Sequence, residues 1–293
     1  MATWTTDDLL TSIKARANFP DATSNSLSPA TLLNFCTEEL HITLVPMILA
    51  CREKYYETFA DSAVISGAAT VAIPTRAIGG VLSLVQYIYN QTVVNLSPID
   101  PSQINTTTVA ASPTAFYFEN NNVRLYPTPA GTGGVIRMRY FQRPNRLEQT
   151  SNCAKITAIG VNTVTCTSVP STWTNSSVVD FIPSYLPYTP YGLNTAVTGI
   201  SSGVVTFAAL PSAVAIGDWL ALSEYTPIPE IPFEFQPLLA QLGVCRGLEA
   251  TGDSQGLQNA SAMVDKYRKA AVGLITPRDQ STAKKIVSGW SGF

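Results

Sequence analysis

Charge is scarce in this 293-residue sequence: 13% of the residues are Asp, Glu, Lys or Arg, against about a quarter in an average soluble protein. Mean hydropathy is slightly positive, +0.14, so the surface is either uncharged or covered by partners. A net charge of -2 with a pI near 5.5 removes the basic footprint that sequence-independent nucleic-acid binding requires. Histidine occurs once, at His41, and a lone histidine is poor support for acid–base catalysis. The 5 cysteines, Cys36, Cys51, Cys153, Cys166 and Cys245, are scattered and form no CxxC pair, so they read as buried free thiols rather than a metal or redox site. Nowhere do about 18 apolar residues run uninterrupted. The densest stretch, Ile42 to Cys51, carries Pro46, and no membrane span is expected. Met1 to Asp8 shows neither the basic n-region nor the apolar h-region of a signal peptide, so assembly in a cytoplasm is expected.

What is present is a change of hydrophobic period along the chain. Thr5 reads as a helix cap, with Asp7 and Asp8 in the first turn and Trp4 as a hydrophobic staple, for a helix running to about Ala17. Ser28 before Pro29 starts a second helix, with apolar residues at Leu33, Cys36, Leu40, Leu44, Ile48 and Cys51 and a kink expected at Pro46. From Tyr56 the period becomes two. Val71 to Ile73, Val81 to Ile88, Phe116 to Phe118, Val123 to Tyr126 and Val135 to Phe141 read as strands. In the last of these Ile136, Met138 and Tyr140 should face a core while Arg137 and Arg139 point away, as in an antiparallel sheet wet on one face.

Between Lys155 and Asp218 the only charged side chain is Asp180. Short alternating runs there, separated by turn signals, predict an inserted β module, a small barrel or sandwich. Helical periodicity returns after the proline-studded Thr226 to Pro232. Phe235, Leu238, Leu242 and Cys245 form one stripe, Gly252 a stop, and Leu257, Ala260, Val264, Tyr267, Ala271 and Leu274 a second stripe, together a helical hairpin. The expected class is α+β: amphipathic helices from both termini bundle together beside an antiparallel sheet. The helical and sheet core comprises residues 1–151 and 225–276, the β module 152–224, and an extended tail 277–293.

Few patterns resemble catalytic signatures. Gly199-Ile200-Ser201-Ser202-Gly203 matches the GxSxG nucleophile elbow, but a strand-like run follows it where the elbow needs a helix. Ser201 is therefore expected in a hairpin turn. Cys36 and His41 lie on different faces of one helix. Gly131 to Gly134 leads into no helix that could cradle phosphate. No catalytic residue, cofactor or metal ligand is assigned.

Several segments carry a different signal: Asn34 to Leu40 with Leu44-Val45-Pro46, Ile73-Pro74-Thr75-Arg76-Ala77-Ile78-Gly79-Gly80, Phe116 to Glu119 running into Leu125 to Pro129, Arg139 to Leu147, Pro237 to Gln241, Leu248 to Asp253, and Leu274 to Arg278. With them the chain resembles the head-to-tail adaptor (connector) proteins of tailed bacteriophages. The resemblance implies a structural, non-enzymatic virion protein at the neck: a ring, usually of twelve copies, docked on the portal protein, with tail or nozzle proteins attached below. Genomic DNA would pass through the lumen without sequence-specific binding. Carried over from such adaptors, a C-terminal segment grips the portal, here Lys284, Lys285, Trp290 and Phe293. The β module departs from the smallest, mainly helical adaptors. An alternative makes the chain a tail- or capsid-associated binding module that recognises glycan or another virion protein, with Trp173, Tyr185, Tyr188 and Tyr191 offering stacking faces.

Overall fold

A computed structural model describes residues 3–19, 27–104 and 111–275. Helix α1, Thr6–Ala17, begins with a complete capping box in which the Thr5 side chain and the Asp8 carboxylate satisfy each other's backbone N–H. Ser28 caps α2, Pro29–Glu39, with Pro29 at the first helical position. A π-helical turn, Leu40–Leu44, then leads into α3, Val45–Cys51. The kink expected at Pro46 takes this form because proline has no N–H to donate. The Val45 N–H instead reaches back five residues to the Leu40 carbonyl. The 23 residues Pro29–Cys51 are long and apolar enough to cross a membrane by length and composition. Here Leu32, Leu33, Cys36, Leu40, Leu44 and Ile48 are buried against other helices.

Strands β1 (Glu57–Ala63), β2 (Thr70–Ala72), β3 (Ala77–Tyr89), β4 (Thr92–Asn95), β5 (Ser97–Pro98), β6 (Ala115–Glu119), β7 (Asn122–Tyr126) and β8 (Val135–Gln142) follow. They form two four-stranded sheets, in the orders β1-β8-β3-β4 and β2-β7-β6-β5. The alternation expected in β8 is present, with Ile136, Met138, Tyr140 and Gln142 buried and the residues between them half-exposed. Ile136, Met138 and Tyr140 meet Ile73, just after β2, and Phe116, Val123 and Leu125 of the second sheet in one core. A bulge in β3 falls at Gly79 and Gly80, whose φ values of 62° and 68° suit glycine.

The short β9 (Arg146–Leu147) leads into a closed six-stranded barrel. Its strands are β10 (Ala154–Ile159), β11 (Thr163–Cys166), β12 (Val178–Ile182), β13 (Tyr191–Ser201), β14 (Val204–Phe207) and β15 (Trp219–Leu222), in the order β10-β11-β14-β13-β12-β15. The barrel has its own core of Ile156, Val164, Trp173, Val179, Phe181, Val197, Val205, Phe207 and Leu220. The chain leaves through β16 (Tyr225–Thr226), which pairs with β9, so entry and exit are stitched together.

Helices α4 (Gln236–Thr251) and α5 (Ser254–Ile275) close the helical core against α1 and α2. Gly252 ends α4 in the left-handed conformation at φ 76°. Leu238, Leu242 and Leu248 are buried. Of the stripe expected on α5, Ala260 and Ala271 are buried and Leu257, Val264 and Tyr267 pack at the edge, but Leu274 is 70% exposed. The helix drifts relative to a strict heptad, and Ile275 takes the inward place.

Candidate functional site

The candidate catalytic residues are not brought together. Ser201 ends β13, and Ser202 and Gly203 form the turn into β14 with φ values of 46° and 81°, the geometry of a two-residue hairpin. His41 sits in the π-helical turn, where its Nε2–H donates to the Pro144 carbonyl oxygen at 2.9 Å. Burial lowers its pKa; the Pro144 bond opposes this, while the charges of Arg143 and Arg146 lower it further. At neutral pH the ring is uncharged.

Cys36, Cys153 and Cys166 are buried free thiols. Burial pushes Cys36 up to about 12 and Cys166 up to about 11, far from the thiolate range that reactivity requires. Cys51 and Cys245 are half-buried. Among the described residues no group of three His, Cys, Asp or Glu side chains could hold a metal.

The densest polar constellation lies where the barrel meets the rest of the chain. Asp180, the one charged side chain between Lys155 and Asp218, is fully buried in β12 and faces Arg76, itself 5% exposed, in the turn before β3. The Arg76 guanidinium grips the carboxylate with both terminal nitrogens, NH1 to Oδ2 at 2.6 Å and NH2 to Oδ1 at 3.0 Å. It also donates to Asn145 Oδ1 (3.0 Å), Asn194 Oδ1 (2.9 Å) and Ser223 Oγ (3.0 Å). Asp180 accepts three further hydrogen bonds, from Asn145 Nδ2 and from the backbone N–H groups of Asn194 and Glu224. Five chain segments thus converge on one ion pair: the turn before β3, the linker after β8, β12, β13 and the turn after β15.

Beneath it lies Glu230, whose Oε2 accepts from the Asn145 N–H at 3.3 Å and whose Oε1 has no partner. Burial holds its pKa well above the ordinary carboxylate range, with the Asn145 bond opposing and the Asp180 charge reinforcing the rise. A buried ion pair adds little net stability, because desolvation offsets the attraction, but losing one partner is severe. The network therefore fixes the geometry between insert and body. Sequence reading picked out Arg76, Asn145 and Asp180 separately and did not connect them; the isolation of Asp180 was the available signal.

Beside this joint His41, Arg143, Arg146 and Glu224 line an open cleft of about 260 Å³. The aromatic residues proposed as stacking faces do not form a platform. Trp173 and Tyr188 are buried, and Tyr191 donates its hydroxyl to Asp218 Oδ2 at 2.5 Å, leaving Tyr185, 55% exposed. The barrel uses these rings for its own packing. Lys284, Lys285, Trp290 and Phe293 lie outside the described residues.

Exposed apolar side chains occur on the first sheet (Phe59, Val81, Val93, Val94), on the barrel (Val161, Tyr185, Leu186, Ile216) and on the helices (Ile42, Leu274). On the open face of the first sheet, Arg137 makes a two-pronged ion pair with Asp61, both bonds 2.8 Å, and stacks 4.2 Å above the Phe59 ring. No curated protein matches the chain. The profile of one protein family, SU10 adaptor protein, matches residues 4–181, a stretch that runs from α1 into β12 and includes Arg76, Asn145 and Asp180.

Proposed function

Since this chain belongs to the SU10 adaptor protein family of phage head-to-tail adaptors, matched over more than half its length, we propose that it forms the ring between portal and tail. About twelve copies would surround a lumen through which DNA passes. Membership carries the reading; three physical features support it. The barrel is almost uncharged, as befits a surface that is covered by neighbours. Its attachment through Arg76 and Asp180 makes the module a rigid projection rather than a swinging one. The mildly negative balance of the chain gives DNA phosphates no strong hold, and a conduit should not retain its cargo.

In this reading residues 152–224 are an inserted module facing neighbours or tail proteins, and the C-terminal segment with Lys284, Lys285, Trp290 and Phe293 seats the subunit on the portal. The role is structural, with no catalytic step. Mixing the full-length chain with the portal of the same phage, followed by native mass spectrometry and negative-stain imaging, tests it. Rings of defined copy number bound to portal are expected. A chain that never binds portal and never forms rings would overturn the proposal.

A further inference from the structure

The ring reading raises the question of which surfaces join one copy to the next, and among the described residues no strand pairs with the outer side of β1 or β4 in the sheet β1-β8-β3-β4, whose two edges fit each other. Every neighbouring pair in it is antiparallel, so the edge strands β1 and β4 run in opposite directions. A second copy displaced along the sheet in the same orientation brings its β1 beside β4 of the first as an antiparallel neighbour.

The free hydrogen-bonding groups also match. The bonds from Gln142 N–H to the Tyr56 carbonyl and from Val64 N–H to the Gly134 carbonyl, both 2.8 Å, put the even-numbered residues of β1 in bonded pairs with β8. Phe59, Asp61 and Ala63 therefore point their backbone groups away from the sheet. At the other edge, the Leu96 N–H bonds the Val85 carbonyl at 2.9 Å, and the two-residue turn at Asn90 and Gln91 has φ values of 46° and 64°. Both observations place Thr92, Val94 and Leu96 in bonded pairs with β3, leaving Val93 and Asn95 turned outward.

Side chains agree as well. Val93 shares a row and face with Ile88, Val135 and Ala63, and Asn95 with Gln86, Arg137 and Asp61. Residues with free backbone groups on the two edges thus share one sheet face, and the pleat can continue unbroken across the joint. All four residues of β4 are exposed, with no charge, proline or bulge to block pairing, the condition in which an edge strand templates another.

We propose that β4 of one copy adds to β1 of the next, so that the outer sheet becomes continuous around the assembly, a head-to-tail contact of the kind that closes into rings. This rests on the ring reading and names its lateral contact.

Two variants of the full chain test it. Val93→Pro deletes a donor that its own sheet does not use, so the melting temperature should hold while the concentration needed for ring formation rises ~tenfold or more. Asn95→Cys combined with Asp61→Cys places thiols on opposite edges, about 14 Å apart within one chain at ordinary strand spacing, too far for an internal disulfide. Oxidised rings of this double variant should give a ladder of cross-linked multimers that the wild type, with its native cysteines, does not. If rings form but Val93→Pro forms them equally well and the double variant stays uncross-linked, the edge pairing is wrong and the ring stands. If the wild type forms no ring with portal, both fall. Should Val93→Pro fail to fold, the cross-linking result decides.

Discussion

Replacing Asp180 with Asn exchanges one carboxylate oxygen for an NH2 group and tests the joint between barrel and body most sharply. The carboxylate is fully buried and accepts five hydrogen bonds, two of them from Arg76, which is 5% exposed. An amide removes the negative charge and turns an NH2 group toward donors, leaving the guanidinium buried without a counter-ion. Breaking a buried pair in this way costs about 3–5 kcal/mol, a large part of the roughly 5–15 kcal/mol that stabilises a folded chain. For a protein of this size the melting temperature should fall on the order of 10 °C, as read by scanning calorimetry. Limited proteolysis should at the same time begin to cut near β9 and β16, where the barrel joins the body. A fall below about 2 °C for Asp180→Asn would refute the reasoning.

Glu230 sits buried with its pKa raised well above the ordinary value, so the folded chain holds a proton that the unfolded chain releases. Its contribution is therefore full below about pH 4.5 and is lost as pH rises toward the folded pKa, at up to about 1.4 kcal/mol per pH unit. Glu230→Gln, which mimics the neutral form, should flatten that decline in melting temperature as pH rises above about 4.5; parallel profiles for the two proteins would contradict it. Ser201→Ala, in an exposed hairpin end, should change stability by less than about 0.5 kcal/mol and leave ring assembly untouched, and a lost hydrolytic activity would reopen the elbow reading. A chain ending at Ile275, without Lys284, Lys285, Trp290 and Phe293, should melt as the full chain does yet fail to bind portal in a pull-down; retained binding would move the portal contact elsewhere.

The elements legible in the sequence were those written in local chemistry. Thr5 with Asp8, Ser28 with Pro29, and Gly252 mark helix ends because capping depends on residues within a turn of each other. The alternation of β8 and the β character of the insert, read as a small barrel or sandwich, were readable for the same reason. Strand β1, Glu57–Ala63, went unread because Glu-Thr-Phe-Ala-Asp-Ser-Ala is an edge strand with no clear alternation. Strand β12, Val178–Ile182, went unread because its sole charge interrupts an apolar run. That interruption proved to be the side chain that Arg76 needs.

By itself the sequence determined the helix boundaries, the kink at Pro46, the α+β class, the low charge of the insert and the family resemblance, because each depends on neighbours along the chain. Only the tertiary structure decided that Asp180 meets Arg76 across 104 positions, that six short strands close into a barrel, and that β1 and β4 are the end strands of one four-stranded sheet. Those outcomes depend on which distant segments share a core and in what register, and neither composition nor period encodes that.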